Sequence, residues 1–147
     1  MFERYTETAR RTLFSARHEA TELGDMAIEP EHLLLGLLRA DEGPTPQLFV
    51  RARLSYTDAH AQIRTHRGVH ERISTSVEMP FSAETRRIIL YTVEEADRLG
   101  QRQIGTGHVL LGVLREESSF AAGILRSHGM TVEGLREQIV KMPAAPA

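Results

Sequence analysis

Seven histidines, two tandem glutamate pairs and a repeated arginine stripe are the residues of this chain whose chemistry has to be placed first. There is no cysteine, so thiol catalysis, thiolate zinc sites and disulfides are excluded. His32 and His108 stand in the first turn of two apolar helices, where packed, hydrogen-bonded rings are the expected outcome. His60, His66 and His70 suggest a metal triplet. The reading puts His66 and His70 on a loop, however, and no acidic residue stands at a convincing ligand spacing. A structural site needs a defined ligand set, so no metal is expected. Neither G-x-S-x-G, H-E-x-x-H nor a GxxxxGK[ST] loop occurs, and neither an enzyme nor a cofactor is expected. Glu94-Glu95 and Glu116-Glu117 read as solvated helix surface.

The arginine stripe carries more. Leu13, Ala16 and Ala20 account for the apolar face of the first helix, and Arg10, Phe14 and Arg17 form a separate line at helical spacing. Arg86, Leu90 and Val93 repeat that line later in the chain, and Phe2 and Phe81 flank the two helix starts. Two readings stay open. Apolar residues beside arginine, outside the core face, suggest a paired and partly exposed binding groove. Alternatively, Phe2 and Phe81 are hydrophobic staples at helix starts, with Phe14 and Leu90 buried between the two halves.

Positioning these residues is the task of an internal repeat. A shift of 76 residues lays 5–63 on 81–139 without a gap, and 15 of 59 pairs are identical. His32-Leu-Leu-Leu-Gly-Leu-Leu-Arg39 falls on His108-Val-Leu-Leu-Gly-Val-Leu-Arg115. Each unit reads as four helices. Thr6, Pro30, Pro46 and Ser55 start those of the first unit; Ser82, Thr106, Ser118 or Ser119, and Thr131 start those of the second. Gly24, Gly100 and Gly129 sit where helices end. No run alternates with period two, so the fold expected is all-α, eight helices in two pseudo-twofold-related repeats, about 2–66 and 80–140. These form one domain over 1–140, with a polar linker over 66–80 and a disordered tail over 141–147. Gly36 and Gly112 recur inside the apolar second helices. Glycine there costs about 1 kcal/mol relative to alanine, so its repetition suggests close backbone packing.

Composition excludes other classes. The chain has 147 residues, 26% of them charged, with a net charge of -2. That balance argues against a nucleic-acid binder. The charged start is neither a secretory signal nor a membrane span. A cytoplasmic monomer of ordinary globular composition is the expectation.

The repeated ARR…EA…LG…HLLLGLLR pattern resembles the Clp N-terminal repeat, two copies of which form the N-domain of ClpA/ClpC-type AAA+ unfoldases. The opening MFERYTETARR is similar to the actinobacterial ClpC branch, and the resemblance covers 2–140. It implies binding of peptides, degron-bearing proteins or adaptors rather than catalysis. It also implies binding of cyclic-peptide antibiotics around the N-terminal Phe and the two first helices, hence at Phe2, Arg10, Phe14, Phe81, Arg86 and Leu90. Departures at Pro30, Gly107 and the Pro44–Pro46 loop favour a free-standing homologue, acting as decoy or as adaptor to a ClpC unfoldase. An excised N-domain of a full unfoldase is the alternative. The resemblance further implies a phosphoarginine site at a G-T-E-H segment in each repeat. The first segment here, Glu29-Pro30-Glu31-His32, keeps the carboxylate of Glu31 but lacks an N–H at Pro30. The second, Gly105-Thr106-Gly107-His108, keeps Thr106 and its N–H groups but has no carboxylate at Gly107.

Overall fold

The computed structural model describes residues 1–68 and 70–142. Eight helices follow one another: α1 Glu7–Leu23, α2 Pro30–Arg39, α3 Thr45–Ala52, α4 Tyr56–Arg67, α5 Ala83–Arg98, α6 Thr106–Arg115, α7 Phe120–Ser127 and α8 Val132–Lys141. The all-α expectation is met, and no strand longer than a single bridge occurs among the described residues. Most helix starts are encoded locally. The hydroxyls of Thr6, Ser55, Ser82, Ser119 and Thr131 each accept a backbone N–H from the first turn. Two boundaries differ from expectation. α4 runs two residues into the expected linker and ends at Arg67, which puts His66 on a helix. α8 reaches Lys141, so the expected tail starts later; residues 143–147 lie outside the described residues.

The core is built on the second helix of each repeat. Leu33, Leu34, Leu35 and Leu37 of α2 are fully buried, as are Leu110, Leu111 and Val113 of α6. The two helices also pack on each other. At the repeated glycines these helices approach their neighbours closely. A Cβ on Gly36 would lie 2.6 Å from the Thr12 carbonyl oxygen of α1. A Cβ on Gly112 would lie 2.8 Å from the Ile88 carbonyl oxygen of α5. Thr12 and Ile88 are themselves related by the repeat.

The halves are stitched by a reciprocal exchange. Thr6 N–H donates to the Ile104 carbonyl at 2.8 Å, and Ile104 N–H to the Arg4 carbonyl at 2.8 Å. The repeat mates of these residues do the same in reverse: Ser82 N–H reaches the Ile28 carbonyl at 3.1 Å and Ile28 N–H the Pro80 carbonyl at 2.8 Å. This is the signature of a twofold, self-complementary interface, here inside one chain. The linker does not hang free. Ile73 N–H donates to the Thr21 carbonyl at 3.1 Å, and the Arg17 guanidinium donates to the carbonyls of Thr75 and Val77 at 3.0 and 2.8 Å. Arg17 is therefore committed to holding the linker along α1.

Candidate functional site

Each repeat repeats one polar device under its second helix. Glu19 is buried on α1 and accepts from Arg39 at 2.6 Å and from the Tyr56 hydroxyl at 2.8 Å. Its mate Glu95 is buried on α5 and takes Arg115 at 3.1 Å and Arg136 at 2.7 and 2.8 Å. The Arg136 bonds outweigh desolvation and hold the Glu95 carboxyl below its usual range. Glu116 is likewise buried, with Arg87 closing on it. The reading of Glu94-Glu95 and Glu116-Glu117 as solvated surface is thus corrected for Glu95 and Glu116; only Glu94 and Glu117 are exposed. Arginines brought from α2, α5, α6 and α8 compensate the buried charges, and helical periodicity alone does not announce such pairs.

His32 and His108 are packed caps. Their Nδ1 atoms accept the backbone N–H of Glu29 and Gly105, at 2.8 and 3.0 Å. Their Nε2 atoms meet Asp25 Oδ2 at 2.8 Å and Gln101 Oε1 at 2.6 Å. Burial pushes the His108 imidazole below its usual value. Of the other histidines, His60 stacks on Tyr56 at 5.4 Å and His66 on Phe120 at 3.8 Å, so the two rings serve packing in different places.

The starts of α2 and α6 share this histidine cap and differ in everything around it. In repeat 1, Glu31 is buried and its Oε2 takes Arg67 at 3.0 Å. Arg67 also reaches Asp25 Oδ2 at 3.1 Å and lies 3.8 Å from Glu29 Oε2. Desolvation would raise the Asp25 carboxyl, but the hydrogen bonds from His32 and Arg67 outweigh it and hold it low. Three carboxylates therefore close on one guanidinium supplied by the end of α4. In repeat 2 the equivalent places hold Gln101, Gly105 and Gly107, and a cavity of about 290 Å³ opens there. Its floor is Pro44, Ile139 and Met142, with Arg102 at the rim. Thr106 does not line it: the side chain is buried, 3.4 Å from the Thr45 hydroxyl.

The residues named for a peptide groove take defined positions. Phe14 and Leu90, related by the repeat, are 76% and 63% exposed on α1 and α5. Burial between the halves is thereby excluded for both. Phe2 and Phe81 meet edge to face at 6.2 Å where the halves are stitched, and Phe2 also packs on the buried Tyr5 at 5.0 Å. A staple would need an apolar residue at the fourth helical position, which is Arg10 in α1 and Arg86 in α5. Instead the Arg10 guanidinium donates back to the Phe2 and Glu3 carbonyls at 3.3 and 3.4 Å, and Arg86 to the Phe81 carbonyl at 3.2 Å. Phe2, Phe81, Arg10 and Arg86 thus gather at the junction, with Phe14 one turn beyond Arg10 and Leu90 one turn beyond Arg86.

Comparison with known proteins sets this geometry in context. The family model described as "Clp repeat (R) N-terminal domain" matches residues 4–128 and 80–144. Chaperone protein ClpC1, chloroplastic, of Oryza sativa subsp. japonica is 34% identical over 142 residues, 97% of this chain and 15% of that protein. An ATP-dependent Clp protease ATP-binding subunit ClpA homolog of Porphyra purpurea is 32% identical over 97% of the chain and 17% of its own length. The chain therefore spans about one-sixth of the curated relatives it matches. Among solved structures, the N-terminal domain of the chaperone ClpD from Arabidopsis thaliana aligns with TM-score 0.75 and 26% identity, over 95% of this chain and 94% of that one. The N-domain of ClpV from Vibrio cholerae shares the fold, with TM-score 0.76 and 18% identity, over 99% and 90%.

Proposed function

Because the chain belongs to the Clp repeat N-terminal domain family, we propose that it is a non-catalytic binding module of the Clp proteolysis system. It takes peptides, degrons and cyclic-peptide antibiotics on the paired surface of Phe2, Arg10, Phe14, Phe81, Arg86 and Leu90. The observation that carries this reading is the exposure of Phe14 and Leu90 at equivalent places in both repeats. Large apolar side chains set beside arginine on two symmetric helices offer apolar contact with polar fixing points, the makeup of a recognition surface. The module acts in the cytoplasm as a monomer, as a decoy that sequesters ligands or as an adaptor to a ClpC unfoldase. No described helix is long and apolar enough to cross a membrane.

The alternative is that the chain is the substrate- and adaptor-binding N-domain of a full ClpC unfoldase, with phosphoarginine recognition. Arg67 bears on that reading, since it already holds the carboxylate of Glu31. A guanidinium ligand would have to displace it, and the repeat-2 site offers no carboxylate at Gly107.

Calorimetry with a cyclic peptide that binds ClpC N-domains, with phosphoarginine in parallel, tests both readings. The expected result is peptide binding weakened at least tenfold by Phe14→Ala with Leu90→Ala, both exposed and harmless to the core. Phosphoarginine binding by the unaltered chain, with the peptide silent, would move the site to Glu31 and the α6 start.

A further inference from the structure

We propose that the groove between α2, α3 and α4 is a separate peptide-docking site, which takes a segment whose apolar side chain is flanked by a carboxylate. The groove encloses about 450 Å³, and its apolar wall is Leu38, Pro46, Phe49, Val50, Leu54 and Tyr56. Val50 is 77% exposed on its edge. The Tyr56 ring is fixed from behind, its hydroxyl held by Glu19 and its face covered by Arg39 at 4.8 Å. That ring is therefore held in place before anything binds, which lowers the entropic cost of docking against it.

The one charged residue lining the groove is Arg53. It makes no ion pair or side-chain hydrogen bond among the described residues. Three of the neighbouring acids lie elsewhere: Glu19 is buried behind Tyr56, Asp41 lines the cleft between α1 and α2, and Glu42 reaches Arg11, while Asp58 is exposed in the first turn of α4. A carboxylate on the occupant is the complementary charge.

The backbone supplies an independent observation. Arg53 caps α3 with φ 57°, the one described residue other than glycine with positive φ. The left-handed region is disfavoured for any residue with a Cβ. At the equivalent helix end, repeat 2 has Gly129 at φ 81°. Repeat 1 thus holds a strained arginine where glycine is the relaxed solution, and strain of this kind concentrates at ligand contacts. The repeat-2 groove completes the contrast. It has a similar size, about 510 Å³, but carries Glu117 and Glu133 beside Arg126 at its wall. The same fold position carries a lone arginine in one half and two glutamates with one arginine in the other, so an acidic segment fits the first groove better.

The site is tested with two labelled ten-residue peptides sharing a Leu-Leu centre, one flanked by glutamates and one by lysines. Fluorescence anisotropy reads affinity, and NMR shift mapping on the full chain reads location. The expected result is at least tenfold tighter binding of the glutamate peptide at low salt, with shifts at Val50, Arg53 and Tyr56. Val50→Asp should abolish it. Arg53→Gly is the decisive variant: it should raise the unfolding midpoint and weaken the glutamate peptide at least threefold. A purely structural arginine would give the first effect without the second. Equal affinity for both peptides, shifts confined to α1 and α5, self-association through this face without peptide binding, or full affinity in Arg53→Gly would each overturn the proposal.

Discussion

The starts of α2 and α6 are one backbone with two side-chain programmes. Both helices are capped by a histidine three residues in, both follow an extended residue that pairs with the other half, and both bury their first turn. Yet Asp25, Glu29 and Glu31 face Gln101, Gly105 and Gly107 across the pseudo-twofold. The first set holds the guanidinium of Arg67, and the second leaves an open cavity of about 290 Å³. Duplication preserves what the fold needs, the histidine cap and the reciprocal stitching. The surrounding positions differ between the repeats, because chemistry resides in side chains rather than in the architecture.

The shared framework should fail first when it is attacked. Gly36→Ala and Gly112→Ala push a methyl into the backbone of α1 and α5 and should each cost about 3 kcal/mol in urea unfolding. An inexpensive Gly112→Ala beside a costly Gly36→Ala would show that the two halves are packed unequally. Removing the buried carboxylates tests the next level. Glu95→Gln leaves Arg115 and Arg136 facing each other and should cost about 2 kcal/mol. Glu19→Gln should cost about 1 kcal/mol, because its partner Arg39 is half exposed and solvent screens the loss.

Arg67→Ala addresses the difference between the halves directly. It leaves Asp25 and Glu31 buried without their counter-charge and should cost about 1–2 kcal/mol, less at low pH. Millimolar guanidinium or an arginine amide should restore part of the lost midpoint in the variant and leave the unaltered chain unmoved. Absence of rescue would mean that Arg67 fills space rather than neutralises charge.

The smallest effect is that of pH. Burial holds the His108 imidazole low, so the unfolded chain takes up a proton below about pH 6.5 that the folded chain refuses. Stability is complete above that value and declines as pH falls through it. Unfolding midpoints measured between pH 7.5 and 5.5 should show this fall, and His108→Gln should flatten it. The depressed carboxyls of Glu95 and Asp25 act only in stronger acid. Their contribution is present above the ordinary carboxyl range, near pH 4, and is lost below it.

The repeat, the eight helices and most of their caps were legible in the sequence, since each rests on spacing or on one local hydrogen bond. Thr6, Ser82 and Thr131 cap the helices they precede, Gly24 ends α1 at positive φ, and Gly36 and Gly112 mark the close crossings. Exposure of Phe14 and Leu90 was one of two open readings, and only the packed halves decide between them. Tertiary structure alone brings Arg67 to Glu31, 36 residues apart, and Arg136 to Glu95, 41 apart. It also brings the Phe81 ring against Phe2 across the junction. The physical reason is range. Caps, turns and amphipathic faces are fixed by neighbours within a helical turn. A buried ion pair and a cavity exist only once distant segments have been placed together.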